Sequence, residues 1–234
     1  MKTHYIRRIR FTLFLLVAGV VLPSSKAHSE IWKDHAAPTL EQGFDRTGWI
    51  LIGSGILATA LAQPQDQAAR NAWNNDQRMS HDLARAGDVA GMGIPGIAIA
   101  LTQLWLDPEA GKAHAEALID TFLVTSILKQ ANQRSRPGNA ANKQSMPSGH
   151  TSTTFASATS LTYFYGWKAA VPAYSVAVIT GLSRLSDDAH WLSDTVAGAF
   201  IGIFWGRATA LHHLNLPTPI VGHNLYGLGW GYKF

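Results

Sequence analysis

Six apolar segments, each 14 to 21 residues long, together account for 99 of the 234 residues of this chain. They are too long for ordinary strands and rich in alanine, leucine and isoleucine, which favour helices. Several are joined by short loops, as is typical of antiparallel neighbours in a bundle. We therefore expect an all-α fold, a single-domain bundle of about six helices, over residues 49–62, 89–106, 115–130, 151–165, 169–183 and 191–211.

The charge of the chain is concentrated at its N-terminus. Residues 1–27 hold five of the 19 lysines and arginines and none of the 15 aspartates and glutamates. The rest of the chain therefore has 14 basic against 15 acidic residues, a net charge of −1. This balance leaves no basic face for nucleic acid, and we expect no nucleic-acid partner.

The same 27 residues have the three parts of a secretory signal. Basic residues precede an apolar stretch at 11–22, Pro23 breaks the helix, and Ser25 and Ala27 offer small side chains at the two positions that a signal peptidase reads. Twelve apolar residues fall short of the ~20 that span a bilayer, so we expect cleavage rather than a retained anchor. The predicted location is the periplasm or cell envelope of a bacterium. With no cysteine, neither a lipoprotein attachment site nor a disulfide is available.

The later apolar segments are poor candidates for membrane spans. They contain glycine, serine, threonine and proline and rarely give 18 uninterrupted apolar residues. Three crossings before Arg136, after an exported N-terminus, would also leave the polar motifs described next in the cytoplasm. We therefore expect an apolar bundle that rests on a membrane.

Three short polar clusters lie at the ends of the predicted helices. The fourth and fifth helices are consecutive and antiparallel, so the chain returns to the end of the bundle that it left. All three clusters should therefore meet at that end. They are Lys129-x6-Arg136-Pro137, Pro147-Ser148-Gly149-His150 and Ser183-Arg184-x5-His190-x3-Asp194.

The cations in these clusters predict a phosphate site. Arg136 and Arg184 can each hold two oxygens through the planar guanidinium, and Lys129 adds a point charge. Ser148 can donate its hydroxyl, and the free N–H groups at the helix start by Gly149 favour an anion. A lone lysine or arginine is usually a solvated surface charge, but three that converge on one turn indicate binding of a polyanion.

Two histidines, His190 and His150, indicate how the phosphoryl group would be transferred. His190 and Asp194 are four residues apart and share one helix face, so the carboxylate can orient the ring and leave one nitrogen free to attack phosphorus. His150, after the small-residue turn, can protonate the leaving oxygen. A metal bound by His190 and Asp194 is the alternative, but the nearby cations would repel it, and we expect no metal and no cofactor. The tandem pair His212 and His213 could indicate a metal, but we interpret it as a solvated helix end.

The three clusters resemble, element by element, the signature of the type-2 phosphatidic acid phosphatase and vanadium haloperoxidase superfamily, over residues 129–206. The resemblance implies an all-helical fold and a metal-free phosphatase with a phosphohistidine intermediate. Integral lipid phosphatases of this family usually have longer and more apolar spans. By this resemblance His190 is the nucleophile, Asp194 orients it and His150 is the acid, while Lys129, Arg136, Ser148, Gly149 and Arg184 hold the phosphate.

These observations leave three classes of function open. The first is a phosphatase of the envelope that acts on a phosphorylated lipid or a small phosphate ester, and the apolar segments favour a lipid. The second is a haloperoxidase that holds vanadate in the same pocket. The third is a phosphate-binding protein without catalysis, which would need the cations but not both histidines.

The C-terminal residues have a different pattern. From Tyr226 to Phe234, apolar residues alternate with glycine or lysine, the period of a strand. The aromatic end is similar to the closing strand of an outer-membrane barrel, but one strand makes no barrel. We expect a short extended tail, packed on the bundle or paired with one other segment. The predicted organisation is a signal at 1–27, an irregular segment at 28–48, the helical domain at 49–213 and the tail at 214–234.

Overall fold

The computed structural model describes residue 33, residues 36–214, and the backbone of residues 218–222 and 225–229. The chain forms two compact units, residues 1–40 and 41–234. The described part of the first unit includes the start of helix α1 (Ala37–Gly43), which lies in the segment expected to be irregular. The predicted signal at 1–27 lies outside the described residues.

The second unit is a bundle of helices, which confirms the predicted all-α class. A 3₁₀ turn (Gln63–Gln65) and a π turn (Asn71–Asn75) lie between the first two predicted helices. The helices are α2 (Arg46–Ala62), α3 (Asp66–Arg70), α4 (His81–Gly91), α5 (Ile94–Leu106), α6 (Pro108–Asn132), α7 (Gly149–Tyr165), α8 (Trp167–Ser186) and α9 (Leu192–Leu214).

The second predicted helix, 89–106, is wrong as a single element. Gly93 has φ +85, a left-handed conformation, and ends the continuity between α4 and α5 with a bend of 50°. The helix before the bend starts earlier than expected, because Ser80 caps it through a hydrogen bond from the Leu83 N–H. The break matters for function because α4 turns towards α7: a Cβ added to Gly91 would lie 2.6 Å from the His150 Cβ.

Helix α7 is the centre of the bundle and packs against α6, α8 and α9. The contact with α9 is close because glycine recurs every four residues along α9, at Gly198, Gly202 and Gly206. A Cβ on Gly202 would lie 2.2 Å from the Ser152 carbonyl oxygen, and one on Gly198 would lie 2.5 Å from that of Ser148. These glycines therefore set the distance between the helices that carry the second and third polar clusters.

A buried polar contact joins α5, α6 and α7. The His114 ring lies 2.7 Å from Gln103 Oε1 through Nδ1 and 2.8 Å from Ser157 Oγ through Nε2. Burial lowers the pKa of His114 to about 4, so the ring is neutral at physiological pH. It is a satisfied core histidine.

The end of α9 corrects the interpretation of His212 and His213 as solvated. His212 is 9% exposed and the His213 side chain is 7% exposed. Both rings lie against α6, where His213 contacts Glu109 and Glu116. The tandem pair is buried because the last turn of α9 still packs on α6.

Among the described residues, no single helix is long and apolar enough to cross a membrane. The bent pair α4 and α5 meets the length and composition requirement only when the two helices are taken together.

The tail contains two strands, β1 (Thr218–Gly222) and β2 (Leu225–Gly229), paired antiparallel with Ile220 opposite Gly227. Both strands lie within the predicted tail at 214–234, so the extended backbone there pairs with itself in a hairpin. Residues 230–234, the end of the alternating pattern, lie outside the described part of the chain.

The α7–α9 contact gives a first prediction. Gly202→Ala places a methyl group against backbone, which cannot move away as a side chain can, so we expect the free energy of unfolding to fall by about 1–3 kcal/mol. Gly53→Ala is the matched control, since nothing lies within 4 Å of its added Cβ and alanine favours helix by up to about 1 kcal/mol. Urea denaturation followed by circular dichroism measures both, and equal effects would contradict the proposed close contact.

Candidate active site

The structure brings the three polar clusters to one end of the bundle. The Ser148 N–H donates to the Asp194 carbonyl at 2.9 Å, which joins the second cluster to the third. The His190 N–H donates to the Arg184 carbonyl at 3.2 Å, which closes the turn between α8 and α9. The C-terminal ends of α6 and α8 and the N-terminal ends of α7 and α9 therefore surround one site.

Asp194 is the most fully bonded group of this site. Its side chain is completely buried and accepts from the Ser145 hydroxyl at 2.5 Å, the Trp191 N–H at 2.9 Å and the Arg134 guanidinium at 2.8 Å. Burial by itself raises the pKa of Asp194, but its hydrogen-bond partners and Arg134 outweigh burial and hold the pKa below its usual value. The carboxylate is therefore ionised and fixed in one orientation.

His190 lies beside this carboxylate with its ring almost completely buried. Nδ1 is 3.7 Å from Asp194 Oδ2, longer than a hydrogen bond, and has no hydrogen-bond partner among the described residues. Burial, together with the charges of Lys129 and Arg136, lowers the pKa of His190 to about 4, although Asp194 opposes the shift. The ring is therefore a neutral imidazole at physiological pH, the form with a free nitrogen lone pair.

Lys129 and Arg136 form the cationic side of the site. Lys129 Nζ donates to the Gln144 carbonyl at 2.7 Å, and the Arg136 N–H donates to the Asn142 carbonyl at 3.0 Å. Burial and the charge of Arg136 lower the pKa of Lys129 to about 8, although Asp194 opposes the shift. Burial and the charge of Arg184 lower the pKa of Arg136. Like charges are thus held close together, an arrangement that favours an anion between them.

The Asp88 carboxylate, on α4, connects Arg184 with His150. Asp88 Oδ1 is 2.6 Å from an Arg184 guanidinium nitrogen and 3.1 Å from His150 Nε2. Burial and Arg184 lower the pKa of His150, and Asp88 opposes this shift. Asp187 also accepts from Arg184, at 2.5 Å. The guanidinium is therefore oriented by two carboxylates beside the histidine.

Ser148 and Gly149 form the start of α7. Ser148 is fully buried, and its oxygen accepts from the Thr151 N–H at 3.5 Å and from the Thr151 hydroxyl at 3.0 Å. These contacts use the oxygen lone pairs and leave its proton for another acceptor. A Cβ added to Gly149 would meet only Lys129 Cε, at 3.9 Å, and Thr125 Cγ2, at 4.0 Å. The glycine therefore faces the cationic side without crowding.

Sequence reasoning missed Arg134, Asp66 and Asp88. Arg134 bonds to Asp194, to the Ser193 hydroxyl at 2.7 Å and to Asp66 Oδ2 at 2.6 Å. Asp66 is 6% exposed and also accepts from the Ser193 N–H at 2.8 Å. Arg134 lies two residues before Arg136, and this additional basic residue in the first cluster was a signal that could have identified it. Neither aspartate had one, because each is brought in by a helix with no motif of its own.

An open, polar cleft of about 680 Å³ adjoins the cationic side. Apart from two lysines, its lining consists of uncharged carboxamide side chains. The residues around it are Lys129, Gln130, Gln133, Asn139, Asn142, Lys143 and Gln144.

Comparison with known proteins agrees with this geometry. Residues 112–216 match the PAP2 superfamily, a range that contains the three clusters. The match covers 105 of the 234 residues and agrees with the resemblance that the residue types and spacing of the clusters had indicated.

Two curated relatives match shorter stretches. A segment of 78 residues is 48% identical to the lipid A 1-phosphatase of Porphyromonas gingivalis and covers 32% of this chain and 17% of that protein. A segment of 99 residues is 29% identical to the lipid A 4'-phosphatase of Helicobacter pylori and covers 38% of this chain and 49% of that protein. The match thus spans less than half the length of either relative.

The crystal structure of Aquifex aeolicus LpxE is similar with a TM-score of 0.56 and 20% sequence identity. The similarity covers 62% of this chain and 93% of that one. It supports the same fold for the helical bundle.

Proposed function

We propose that this protein is a metal-independent phosphatase of the cell envelope that hydrolyses a lipid-linked phosphomonoester or diphosphate through a phosphohistidine. The observation that carries the proposal is the neutral, buried His190 ring between the Asp194 carboxylate and the cations Lys129 and Arg136. A protein that only binds phosphate needs the cations but gains nothing from an oriented, uncharged imidazole among them.

In the first step His190 attacks phosphorus through Nε2, while Nδ1 keeps its proton and turns it towards Asp194. The P–N bond forms and the P–O bond to the leaving group breaks. The distance of 3.7 Å between Nδ1 and Asp194 Oδ2 shortens to a hydrogen bond as positive charge develops on the ring. Asp194 is suited to this role because its other partners hold it ionised.

The leaving oxygen takes its proton from His150, which is then restored when it accepts a proton from the attacking water. Water cleaves the P–N bond, releases inorganic phosphate and regenerates His190. The cations near His150 disfavour its protonated form, whereas Asp88 and a bound phosphate dianion both favour it. Substrate binding therefore prepares the acid that the first step needs.

The charge on the transferred phosphoryl group is stabilised by Lys129, Arg136 and Arg184, together with the Ser148 hydroxyl and the N–H groups at the start of α7. Asp88 and Asp187 hold Arg184 in place before substrate arrives. This preorganisation is the main source of rate enhancement that the arrangement can supply without a metal.

The lipid part of the proposal rests on two observations. Both curated relatives are lipid A phosphatases by name. Large apolar side chains are also exposed along α2, α5 and α8, among them Leu61 (66%), Ile94 (68%), Trp105 (83%) and Trp167 (73%). Exposed apolar side chains of this size are the kind that mark interaction surfaces for proteins or membranes, and we assign them to membrane contact. The carboxamide-lined cleft next to Lys129 suits a polar, uncharged headgroup around the phosphate.

The mechanism predicts that purified protein hydrolyses a phosphorylated lipid in EDTA and is inhibited by vanadate. His190→Ala should lower kcat by at least about 10⁴-fold, because the covalent step is lost. His81→Ala, at the exposed start of α4, is the matched control and should keep full activity. The measurement is inorganic phosphate release from a panel of phosphorylated lipids and small sugar phosphates. Full activity in His190→Ala would refute the phosphohistidine.

Lys129 predicts a pH dependence of kcat/KM. The lysine is a cation below its pKa of about 8 and loses its charge as the pH rises through that value. Phosphate is therefore held less well, and kcat/KM, which reports the free enzyme, should fall above pH 8. Lys129→Arg keeps the charge and should remove this fall. Lys143→Arg in the adjoining cleft is the control and should retain it; a fall near pH 8 that persists in Lys129→Arg would assign it to another group.

Membrane contact predicts that the exposed apolar residues hold the protein on lipid. Each contributes about 1.5–3 kcal/mol when it leaves water, so the triple variant Ile94→Ser, Trp105→Ser and Leu106→Ser should bind vesicles at least tenfold less. A control with Gln67→Ser, Asp82→Ser and Arg85→Ser, all exposed polar positions, should bind as the wild type does. Flotation with phosphatidylethanolamine and phosphatidylglycerol vesicles measures both. Equal flotation of the two variants would contradict the assignment.

A further inference from the structure

A second group of chemically able side chains lies far from the phosphate site. Glu116 is in the first half of α6, and His212 and His213 are in the last turn of α9. We refer to these three residues as the His-Glu cluster. Lys129 is 13 residues further along α6, about 20 Å at the helical rise of 1.5 Å per residue. The cluster is therefore at the opposite end of the bundle from the three motifs and takes no part in the proposed reaction.

The ligand atoms of the His-Glu cluster converge. One nitrogen from each ring and one oxygen of Glu116 all lie within 4.8 Å of one another. Ligands at about 2.0–2.1 Å from a tetrahedral metal are about 3.4 Å apart, so the most widely separated of these atoms need to close by up to about 1.4 Å. The rings are also close, with centroids 4.8 Å apart. Such a closure is within the reach of side-chain rotation at a helix end.

A fourth residue orients one of the ligands. Glu109 Oε2 lies 3.1 Å from His213 Nδ1, while His213 Nε2 lies 3.0 Å from Glu116 Oε2. A carboxylate that accepts from Nδ1 keeps the ring proton on that nitrogen. The lone pair of Nε2 then points to the opposite side of the ring, where Glu116 lies. This is the carboxylate–histidine–metal arrangement that second-shell groups provide in metal sites. Glu109 is itself held by Lys112 at 2.7 Å.

We infer that Glu116, His212 and His213 bind one divalent transition metal ion, of which Zn²⁺ is the best fit, with Glu109 as the outer carboxylate that orients His213. Two imidazoles and one carboxylate are the donors that zinc accepts, whereas magnesium and calcium prefer sites made of oxygen alone. Three protein ligands leave a fourth position for water.

The structural alternative is an ion pair in which a protonated His213 bridges Glu109 and Glu116. That pair explains the two contacts of His213, and the convergence of a His212 ring nitrogen on the same point is the further observation that a metal site explains. The two readings differ in a measurable way, because an ion pair does not bind cobalt or zinc with defined stoichiometry.

The site would join the start of α6 to the end of α9, immediately before the tail. A metal that binds only the folded state stabilises it by mass action. The inferred role is therefore structural, as a clamp between two helices whose other ends carry Lys129 and Asp194. The inference does not depend on the proposed phosphatase activity.

The test is a titration of the untagged, metal-free full chain with Co²⁺, followed by visible absorption, and then displacement by Zn²⁺. We expect saturation at one equivalent and loss of the cobalt bands when Zn²⁺ is added. His212→Ala and Glu116→Gln should each weaken binding by more than about 100-fold, and Glu109→Gln, which keeps all three ligands, by about 10–100-fold. His81→Ala is the matched histidine control and should bind as the wild type does.

A lack of saturable Co²⁺ binding by the wild type, or unchanged binding in His212→Ala and Glu116→Gln, would overturn the site. Glu109→Gln keeps the test decisive if a ligand variant fails to fold, because affinity equal to that of the wild type would also contradict the inference. EDTA should lower the Tm of the wild type but not that of His212→Ala. Phosphate release by His212→Ala, measured in EDTA, distinguishes the proposed metal site from the proposed phosphatase mechanism. We expect this variant to keep its activity. Loss of activity under these conditions would count against the metal-independent mechanism and not against the metal site.

Discussion

The buried carboxylate of Asp194 is the group on which the arrangement of the site depends. Its side chain accepts from Ser145, Trp191 and Arg134, while its backbone carbonyl accepts from Ser148 at the start of α7. One residue thus joins the loop before α7, the first turn of α9 and the chain after α6. A buried anion with this many donors is stable only when all of them are in place, so the fold and the orientation of the neighbouring imidazole are set together.

The site concentrates positive charge, and the structure offsets part of the cost with carboxylates from helices outside the motifs. Asp66 pairs with Arg134 at 2.6 Å and Asp88 with Arg184 at 2.6 Å. Lys129 and Arg136 have less compensation, and burial together with a neighbouring arginine lowers the pKa of each. The uneven distribution leaves the excess positive charge where a phosphate would lie. Arg134 and Arg184 are paired with carboxylates, whereas no ion pair is found for Lys129 or Arg136 among the described residues.

Much of the fold and of the site could be predicted, because local signals determine it. Helix lengths, the serine before α7 and the i, i+4 spacing of His190 and Asp194 depend on residues close in sequence. The break at Gly93 had a local signal, because the glycine precedes Pro95 in the first turn of α5. The apolar residues on both sides of it nevertheless favoured one continuous helix, and the prediction followed them. Asp66 and Asp88 were missed for a different reason, since their partners are more than 60 residues away along the chain.

The amino-acid sequence by itself determined the chemical groups, the helical class and the end of the bundle at which the three clusters meet, since short-range periodicity and motif spacing decide these. Tertiary structure alone decided the burial that keeps His190 neutral, the 3.7 Å between its ring and Asp194, and the carboxylates that neighbour each arginine. It also placed His212 and His213 against Glu116, where the sequence had indicated solvent. The physical reason is that desolvation and contacts between helices arise from residues far apart in the chain, and no local pattern encodes them.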